Sequence, residues 1–363
     1  MLDAVVDDPA GFIAAATRPL FIDEVQLAGD RLIRAIKVQV DTDNCAGQFV
    51  LTGSADFLTV PTLSESLAGR AAFLELWPFS QGELAGAPEH FVDRLFQDPD
   101  SLRELEGSTL SPPDYVERLC RGGFPEVQTI TSERIARRWF ADYVRTVTQR
   151  DITDITNIRR AEELPRLLRL FAARTANEFV IQEIANDTQL GRDTLSEYLG
   201  LLRMVYLVHT VPAWSPNFTS RAKRHSKIYI SDTGLAAYLL GVNASRLASP
   251  TLTIVGPLLE TFVLNELRKQ LSWSDIDASL LHFQDRTGSE VDIVLEALDG
   301  RVVGIEVKKS VTVRTEHFRW LRLLRDKLGA NFVHGVVLHA GSRPLPFGDR
   351  LTALPISALW QAT

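Results

Sequence analysis

Three side chains near the C-terminal end of the chain have the types and the spacing needed for chemistry on phosphate esters. Asp292 lies in one alternating apolar segment, and Glu306 and Lys308 lie two positions apart in the next. Gly300 supplies a turn between the segments, so we predict adjacent strands at 290–296 and 301–308. Asp292 and Glu306 could bind Mg²⁺ through oxygen ligands, while Lys308 could orient water and offset charge in the transition state.

A fourth candidate, Glu260, belongs to a predicted helix at 258–271 that follows Gly256-Pro257, because proline is favoured at a helix start. The order Glu260, Asp292, Glu306, Lys308 resembles that of the PD-(D/E)xK nuclease-like fold. The resemblance implies a metal at Asp292 and Glu306, with Glu260 binding it directly or through water. An alternative is a plain salt bridge on an edge strand, and folds of this kind also host inactive members.

A second acidic pattern lies near the N-terminus. The apolar segment Leu20-Phe21-Ile22 ends in Asp23 and Glu24, as a Walker B strand does. Asp23 would coordinate Mg²⁺ and Glu24 would polarise the attacking water. A helix at 29–41, a strand at 48–54 that ends near Thr52 and Ser54, and a strand at 73–78 would then form a parallel sheet.

Several segments together resemble the AAA+-type ATPases of bacteria and archaea that carry a C-terminal domain of unknown function. They are Leu20–Gln26, Leu51–Asp56, Ser66–Arg70, Leu76–Glu83, Gly122–Glu126, Tyr143–Asp151 and Ser231–Leu235. The resemblance implies ATP as a ligand. The nucleotide and metal residues would be Asp23, Glu24, Thr52, Ser54 and Arg70.

The sequence departs from that pattern because no lysine follows a glycine, and a P-loop ends in Gly-Lys-[Ser/Thr]. We therefore expect an N-terminally shortened member with impaired ATP binding. Its uncovered strand edges and apolar surface would be covered by a second copy or another partner. Alternatively, the P-loop lies upstream of the assigned start and the protein hydrolyses ATP.

The middle of the chain predicts a winged helix. Helical patterns at 164–175, 182–186 and 192–204 precede strands at 205–211 and 227–231. Arg192 and Thr194 would face outward from the recognition helix. The loop 214–227 contains no acid, and its cations could contact nucleic-acid phosphates; they include Arg221, Lys223, Arg224 and Lys227. Winged helices also serve as protein-interaction modules.

Composition gives the broad class. The chain has 363 residues, 45% of them hydrophobic and 23% charged, which is typical of a soluble protein with several domains. Two cysteines provide neither a disulfide framework nor a zinc finger and favour a reducing cytoplasm. No apolar run reaches the ~20 residues of a membrane span.

We predict an α/β multidomain protein with four parts. These are a truncated AAA+ core (1–85), a helical lid and connection (86–160, with a surface connection at 86–113), a winged-helix module (161–235) and a PD-(D/E)xK-like domain (236–363). The favoured function is an ATPase-derived, nucleic-acid-associated protein with a Mg²⁺-dependent nuclease site. We expect its nucleic-acid partner to be DNA in preference to RNA. The alternative to catalysis is a regulatory or scaffold protein that binds DNA or protein.

Overall fold

The computed structural model describes residues 2–54, 67–152, 161–222, 224–249, 251–285 and 288–362. Within these ranges the chain is a mixed α/β protein with three sheets, of two, three and six strands. No helix in the described ranges is both long and apolar enough to cross a bilayer. The α-helices are Leu2–Asp7, Pro9–Ala15, Gly29–Thr42, Gln81–Ala85, Phe91–Gln97, Pro112–Arg121, Pro125–Thr129, Glu133–Thr146, Leu164–Ala173, Ile181–Thr188, Arg192–Met204, Phe218–Arg221, Thr233–Leu240, Ala244–Leu247, Val255–Leu271, Arg319–Leu328 and Ala358–Gln361.

The N-terminal part contains the predicted parallel strand–helix–strand unit. Strand β1 (Leu20–Ile22) pairs in parallel with β2 (Phe49–Leu51). The intervening helix Gly29–Thr42 buries one apolar face, as the spacing of its apolar residues predicts. The prediction of a β–α–β arrangement in this part is confirmed.

The prediction of a third strand in this unit, at 73–78, is wrong. Residues 71–77 have no regular structure, and the alternating side chains Leu74 and Leu76 point into solvent. The segment instead connects to the middle of the chain, because the Trp77 ring packs against Tyr206 with centroids 5.6 Å apart. Phe79 N then donates to Gly123 O at 2.8 Å.

The middle part, taken as the described residues of 161–231, contains the three predicted helices, the short helix Phe218–Arg221 and an antiparallel sheet. Strand β5 (Lys227–Ile230) lies between β3 (Asn177–Glu178) and β4 (Val208–Val211). Helices Leu164–Ala173, Ile181–Thr188 and Arg192–Met204 follow the predicted bounds closely. The helices and strands predicted here from periodicity are confirmed, and the assignment as a winged helix stays a prediction.

The C-terminal part is a mixed six-stranded sheet in the order β10-β11-β9-β8-β7-β6. Its strands are β6 (Ala278–Gln284), β7 (Glu290–Ala297), β8 (Val302–Lys308), β9 (Phe332–His339), β10 (Leu345–Pro346) and β11 (Leu351–Pro355). Strands β6, β7 and β8 are antiparallel, and β8, β9 and β11 are parallel.

Helices pack on both faces of this sheet. Val303 and Ile305 of β8 belong to the cluster that includes the helix Val255–Leu271, called the site helix below. Val302, one position away, belongs to the cluster of the helix Arg319–Leu328. Alternate residues of β8 therefore face opposite layers, which is the period-2 pattern of a strand that is buried on both sides.

The expectation of a surface connection at 86–113 is wrong. The segment forms the helix Phe91–Gln97, in which Phe91, Val92 and Leu95 are buried. His90 N donates to Ala362 O at 2.7 Å, which ties the start of this helix to the end of the described chain. The Pro, Gly and Asp residues around it suggested a loop, but the apolar face of the helix completes the C-terminal core.

Candidate carboxylate–lysine site

The two antiparallel strands β7 and β8 bring the predicted carboxylates and lysine together. Their register pairs Ile293 with Ile305, which places Asp292 beside Glu306. Lys308 Nζ lies 2.6 Å from Glu306 Oε2 and 3.7 Å from Asp292 Oδ2. Asp292 Oδ2 also accepts a hydrogen bond from the Val307 amide at 2.7 Å. The ammonium therefore lies between two carboxylates.

Burial controls the protonation of this pair. The Glu306 side chain is only 5% exposed. Burial and then the neighbouring Asp292 raise the pKa of Glu306 well above its usual value. Burial opposes a charge on Lys308, but Asp292 and Glu306 outweigh it and raise the pKa of the ammonium. The lysine is thus held charged beside a carboxyl group that resists losing its proton.

The fourth predicted residue, Glu260, joins the same cluster from the site helix. Its Oε1 accepts hydrogen bonds from Lys227 Nζ at 2.9 Å and from the Tyr229 hydroxyl at 2.7 Å. Burial raises the pKa of Glu260 to about 7, although Lys227 acts in the opposite direction. Lys227 Nζ also lies 2.7 Å from Glu290 Oε1. The structure therefore adds Lys227, Tyr229 and Glu290 to the predicted set.

The placement of Lys227 corrects the expectation that it lies on a basic surface loop. Its side chain is 2% exposed and lies in the carboxylate cluster. The signal that could have found it is a lysine and a tyrosine at alternating positions of the apolar segment Lys227–Ile230, all of which is buried. A lysine at a fully buried strand position requires a carboxylate partner.

The two described arginines of this loop are engaged as well. Arg221 forms a two-pronged ion pair with Glu296, and Arg224 donates to the Gln284 carbonyl. Neither arginine therefore extends as a free cation toward solvent. Lys223 lies outside the described residues.

The proposed recognition helix matches its expectation in part. Arg192 is exposed and Thr194 is half-buried at the start of the helix Arg192–Met204. Leu195 and Tyr198 form the buried face of this helix. The helix thus presents Arg192 to solvent, and its assignment as a recognition helix stays a prediction.

The N-terminal acidic pattern forms a small cluster where β1 and β2 end. Thr52 Oγ1 donates to Asp23 Oδ1, and Gln26 Nε2 donates to Glu24 and, at 3.5 Å, to Ser54 Oγ. Parallel strands bring these residues to one edge of the sheet, as expected.

Arg70 does not join the other predicted nucleotide and metal residues, which corrects its assignment to that site. Its guanidinium pairs with Asp41 at 2.5 Å, in the last turn of the helix Gly29–Thr42. This turn leads to the start of β2, whereas Asp23 and Thr52 follow the ends of the strands. The ion pair therefore holds Arg70 at the opposite edge of the sheet.

The Gly122–Glu126 and Ser231–Leu235 segments meet in the interior. Asp232 accepts hydrogen bonds from the Gly123 amide at 2.7 Å and the Leu235 amide at 2.8 Å. The second bond caps the helix Thr233–Leu240. Gly234 lies so close to Arg121 O that an added Cβ would be 2.6 Å from this oxygen. These two segments therefore have a structural role in joining the chain's middle parts.

The carboxylates of the site suit a magnesium ion whose remaining ligands are supplied by water or by a substrate. Across the described ranges, no three His, Cys, Asp or Glu side chains are grouped so as to bind an ion as they stand. Mg²⁺ is nevertheless commonly bound by one or two carboxylates together with water and substrate phosphate. Glu306 Oε1 is buried and accepts from no donor in the described part of the chain. The Glu306 carboxyl group interacts directly with that of Asp292, and a metal ion bound between the two would replace this contact.

Comparison with known domain families divides the chain into three parts. Residues 4–85 match an AAA domain, residues 112–246 match a domain of unknown function (DUF8612) and residues 255–359 match a second one (DUF4143). The first and third matches support an AAA-type ATPase family. The AAA domain suggests an ATPase-type function for the protein.

The curated relatives extend this similarity along the chain. An uncharacterized protein of Mycobacterium tuberculosis and one of Mycobacterium bovis are each 27% identical over 349 residues, which is 96% of this chain and 70% of theirs. An uncharacterized protein of Methanocaldococcus jannaschii is 24% identical over 287 residues, covering 77% of this chain and 58% of that protein.

A solved structure of a protein from Vibrio cholerae aligns with this chain at 14% sequence identity. The alignment covers 92% of this chain and 79% of that chain, with a TM-score of 0.23. A TM-score of this size carries no argument about the fold.

Proposed function

We propose that this ATPase-related protein acts on nucleic acid and that the cluster of Asp292, Glu306, Lys308 and Glu260 hydrolyses phosphodiesters with Mg²⁺. The observation that carries the proposal is the position of the Lys308 ammonium, 2.6 Å from Glu306 Oε2 and 3.7 Å from Asp292 Oδ2. The second Glu306 oxygen, Oε1, is buried beside it and accepts from no donor in the described residues. Two acids and a lysine in this arrangement provide both ligands for a metal and a donor for water.

Each residue then has a distinct task. Asp292 and Glu306 would hold Mg²⁺, which when bound stabilises the negative charge on the phosphate oxygens. Lys308 positions the attacking water and donates to an oxygen whose charge grows in the transition state. The side chain of Lys308 is 31% exposed, so its ammonium is accessible to a substrate that approaches from solvent. Glu260 supports the cluster from the site helix.

The test is cleavage of single-stranded, duplex and branched DNA and RNA in Mg²⁺ or Mn²⁺. Asp292→Asn and Lys308→Met are compared with Asp299→Asn, an exposed acid in the β7–β8 turn that pairs with Arg301. We expect cleavage by the parent and by Asp299→Asn and its loss in the two site variants. Cleavage that survives both site variants would refute the assignment.

A non-catalytic role in binding DNA or protein is the second candidate. It is favoured by one observation, namely that Lys227 and Lys308 already pair with the carboxylates of the cluster. The same panel separates the candidates, because this role predicts no cleavage by any variant together with salt-sensitive binding by all of them.

ATP is a further proposed ligand, at Asp23, Glu24, Thr52 and Ser54. We expect weak binding, because the sequence has no Gly-Lys-[Ser/Thr] segment to hold the β- and γ-phosphates. A fluorescence titration with a labelled ATP measures this directly. Micromolar affinity that disappears in Asp23→Asn would contradict the expectation of weak binding.

A further inference from the structure

Lys227 reaches the carboxylate cluster from a different part of the chain. It begins β5, in the three-stranded sheet of the middle part, whereas its partners lie on the site helix and on β7. Its Nζ is 2.9 Å from Glu260 Oε1 and 2.7 Å from Glu290 Oε1. A residue outside the C-terminal sheet therefore completes the site.

The position of this ammonium is one that a metal ion could take. Two carboxylate oxygens already converge on Nζ at distances only a few tenths of an ångström longer than typical Ca²⁺–oxygen contacts of about 2.3–2.6 Å. The side chain is 2% exposed, so its charge depends on these carboxylates for stabilisation. Lys227 therefore provides the positive charge that the Glu260 and Glu290 pair requires.

The other half of the cluster differs in one respect. There, Lys308 pairs with Glu306 Oε2, but Glu306 Oε1 accepts from no donor in the described residues. At the Lys227 half, Glu260 Oε1 accepts both the ammonium and the Tyr229 hydroxyl. A divalent ion thus meets an oxygen that accepts from no donor beside Asp292, whereas the Glu260 oxygen already accepts from two donors.

We propose that Lys227 is a built-in cation that occupies a second cation position of the site. The site then takes one divalent ion, at Asp292 and Glu306, where phosphodiester hydrolysis at other sites often uses two. Lys227 is a positioning residue that holds Glu260 and ties the site to the middle part of the chain. This inference rests on the proposed function for the location of the first ion.

The experiment counts bound Mn²⁺ in the full chain by calorimetry and by electron paramagnetic resonance of the free ion. We expect one ion in the parent and a second in Lys227→Met, which removes the charge and shortens the side chain by only the terminal atom. Tyr229→Phe is the matched control, because it removes a donor from the same Glu260 oxygen but keeps the ammonium, and it should bind one ion. An unchanged number of ions and an unchanged affinity in Lys227→Met would overturn the proposal.

If Lys227→Met folds poorly, the proposal can still be tested. If the lysine replaces a cation, Mn²⁺ should restore the melting temperature of Lys227→Met, and the added change Glu260→Gln should restore it without metal. If neither Mn²⁺ nor the second substitution restores folding, the ammonium is not acting in place of a metal and the proposal fails.

Failure of the inference about Lys227 can be distinguished from failure of the proposed nuclease function. A parent that binds no Mn²⁺ and cleaves nothing contradicts the nuclease assignment. In that case Lys227→Met should still gain one ion, at Glu260 and Glu290, if the inference about Lys227 is right. No gain would overturn the inference as well.

Discussion

The guanidinium of Arg221 forms a two-pronged ion pair with the carboxylate of Glu296. Its Nη1 and Nη2 atoms lie 2.5 and 2.6 Å from the two carboxylate oxygens, and Trp214 Nε1 donates to the same carboxylate at 3.0 Å. The two charged side chains are 15% and 18% exposed. This pair joins the loop after β4 to β7, so an arginine that sequence alone assigns to phosphate contacts acts as a connection between parts of the chain.

We expect Arg221→Ala to reduce the free energy of unfolding by about 2–4 kcal/mol, because it leaves Glu296 partly buried without its partner. Urea denaturation measures this loss. Glu296→Gln in the Arg221→Ala background should recover part of it. If Arg221→Ala keeps the stability of the parent but weakens binding to DNA in a salt-dependent way, Arg221 contacts phosphate after all.

Glu306→Gln should separate stability from activity. Because the pKa of Glu306 is raised by burial and by Asp292, a neutral amide of the same shape should leave the stability of the metal-free protein within about 1.5 kcal/mol of the parent. Cleavage should fall roughly 10²–10⁴-fold, the usual effect of losing a catalytic group. Parallel thermal melts and cleavage rates are the measurement. A large loss of stability would indicate a structural role for the carboxylate.

Glu89 should make the stability of the protein depend on pH. This buried carboxyl accepts hydrogen bonds from Ser80 Oγ and the Gly82 amide, and burial raises its pKa from 4.5 to about 7. The folded state therefore binds the proton more tightly than the unfolded state, and the stabilisation present below pH 4.5 is lost as the pH rises through 7.

The comparison is between the parent and Glu89→Gln in urea denaturation from pH 4.5 to 8. As the pH rises, the parent should lose stability relative to Glu89→Gln, and the difference between their free energies of unfolding should change by up to about 3 kcal/mol. Subtracting one curve from the other removes the contributions of Glu260 and Glu306, which have the same sign. A difference that is constant with pH would contradict the raised pKa of Glu89.

Asp232→Ala should be strongly destabilising. It removes the acceptor of the Gly123 and Leu235 amides, leaving two donors without their partner in the interior, which costs about 1–3 kcal/mol for each group. Asp232→Asn keeps an acceptor oxygen and should lose less. Chemical denaturation of both variants gives the order, and equal losses would show that charge on Asp232 matters more than its hydrogen bonds.

Local sequence was sufficient for the strands of the site. Val291–Leu295 and 301–308 alternate or run apolar around Gly300, and β7 and β8 form there with the register that places Asp292 beside Glu306. The site helix and the helices of the middle part likewise follow from apolar spacing. Such patterns succeed because the spacing of apolar residues within a segment indicates which of its faces is buried, and this spacing differs between a helix and a strand.

Segments that depend on distant partners were predicted less well. Residues 73–78 alternate like a strand, yet they pack with Trp77 against Tyr206 and form no strand. Residues 91–97 lie among loop-forming residues, yet they form a helix with a buried apolar face. In both cases the partner surface lies far along the chain, and composition does not identify it.

The sequence by itself determined the order of Glu260, Asp292, Glu306 and Lys308 and the strands that hold the last three. Only the tertiary structure decided that Lys227 and Tyr229 enter the same cluster, 33 and 31 positions before Glu260. The physical reason is that a buried lysine must be paired with a carboxylate. Which carboxylate it meets depends on how β5 packs against the site helix, and no periodicity within either segment specifies that contact.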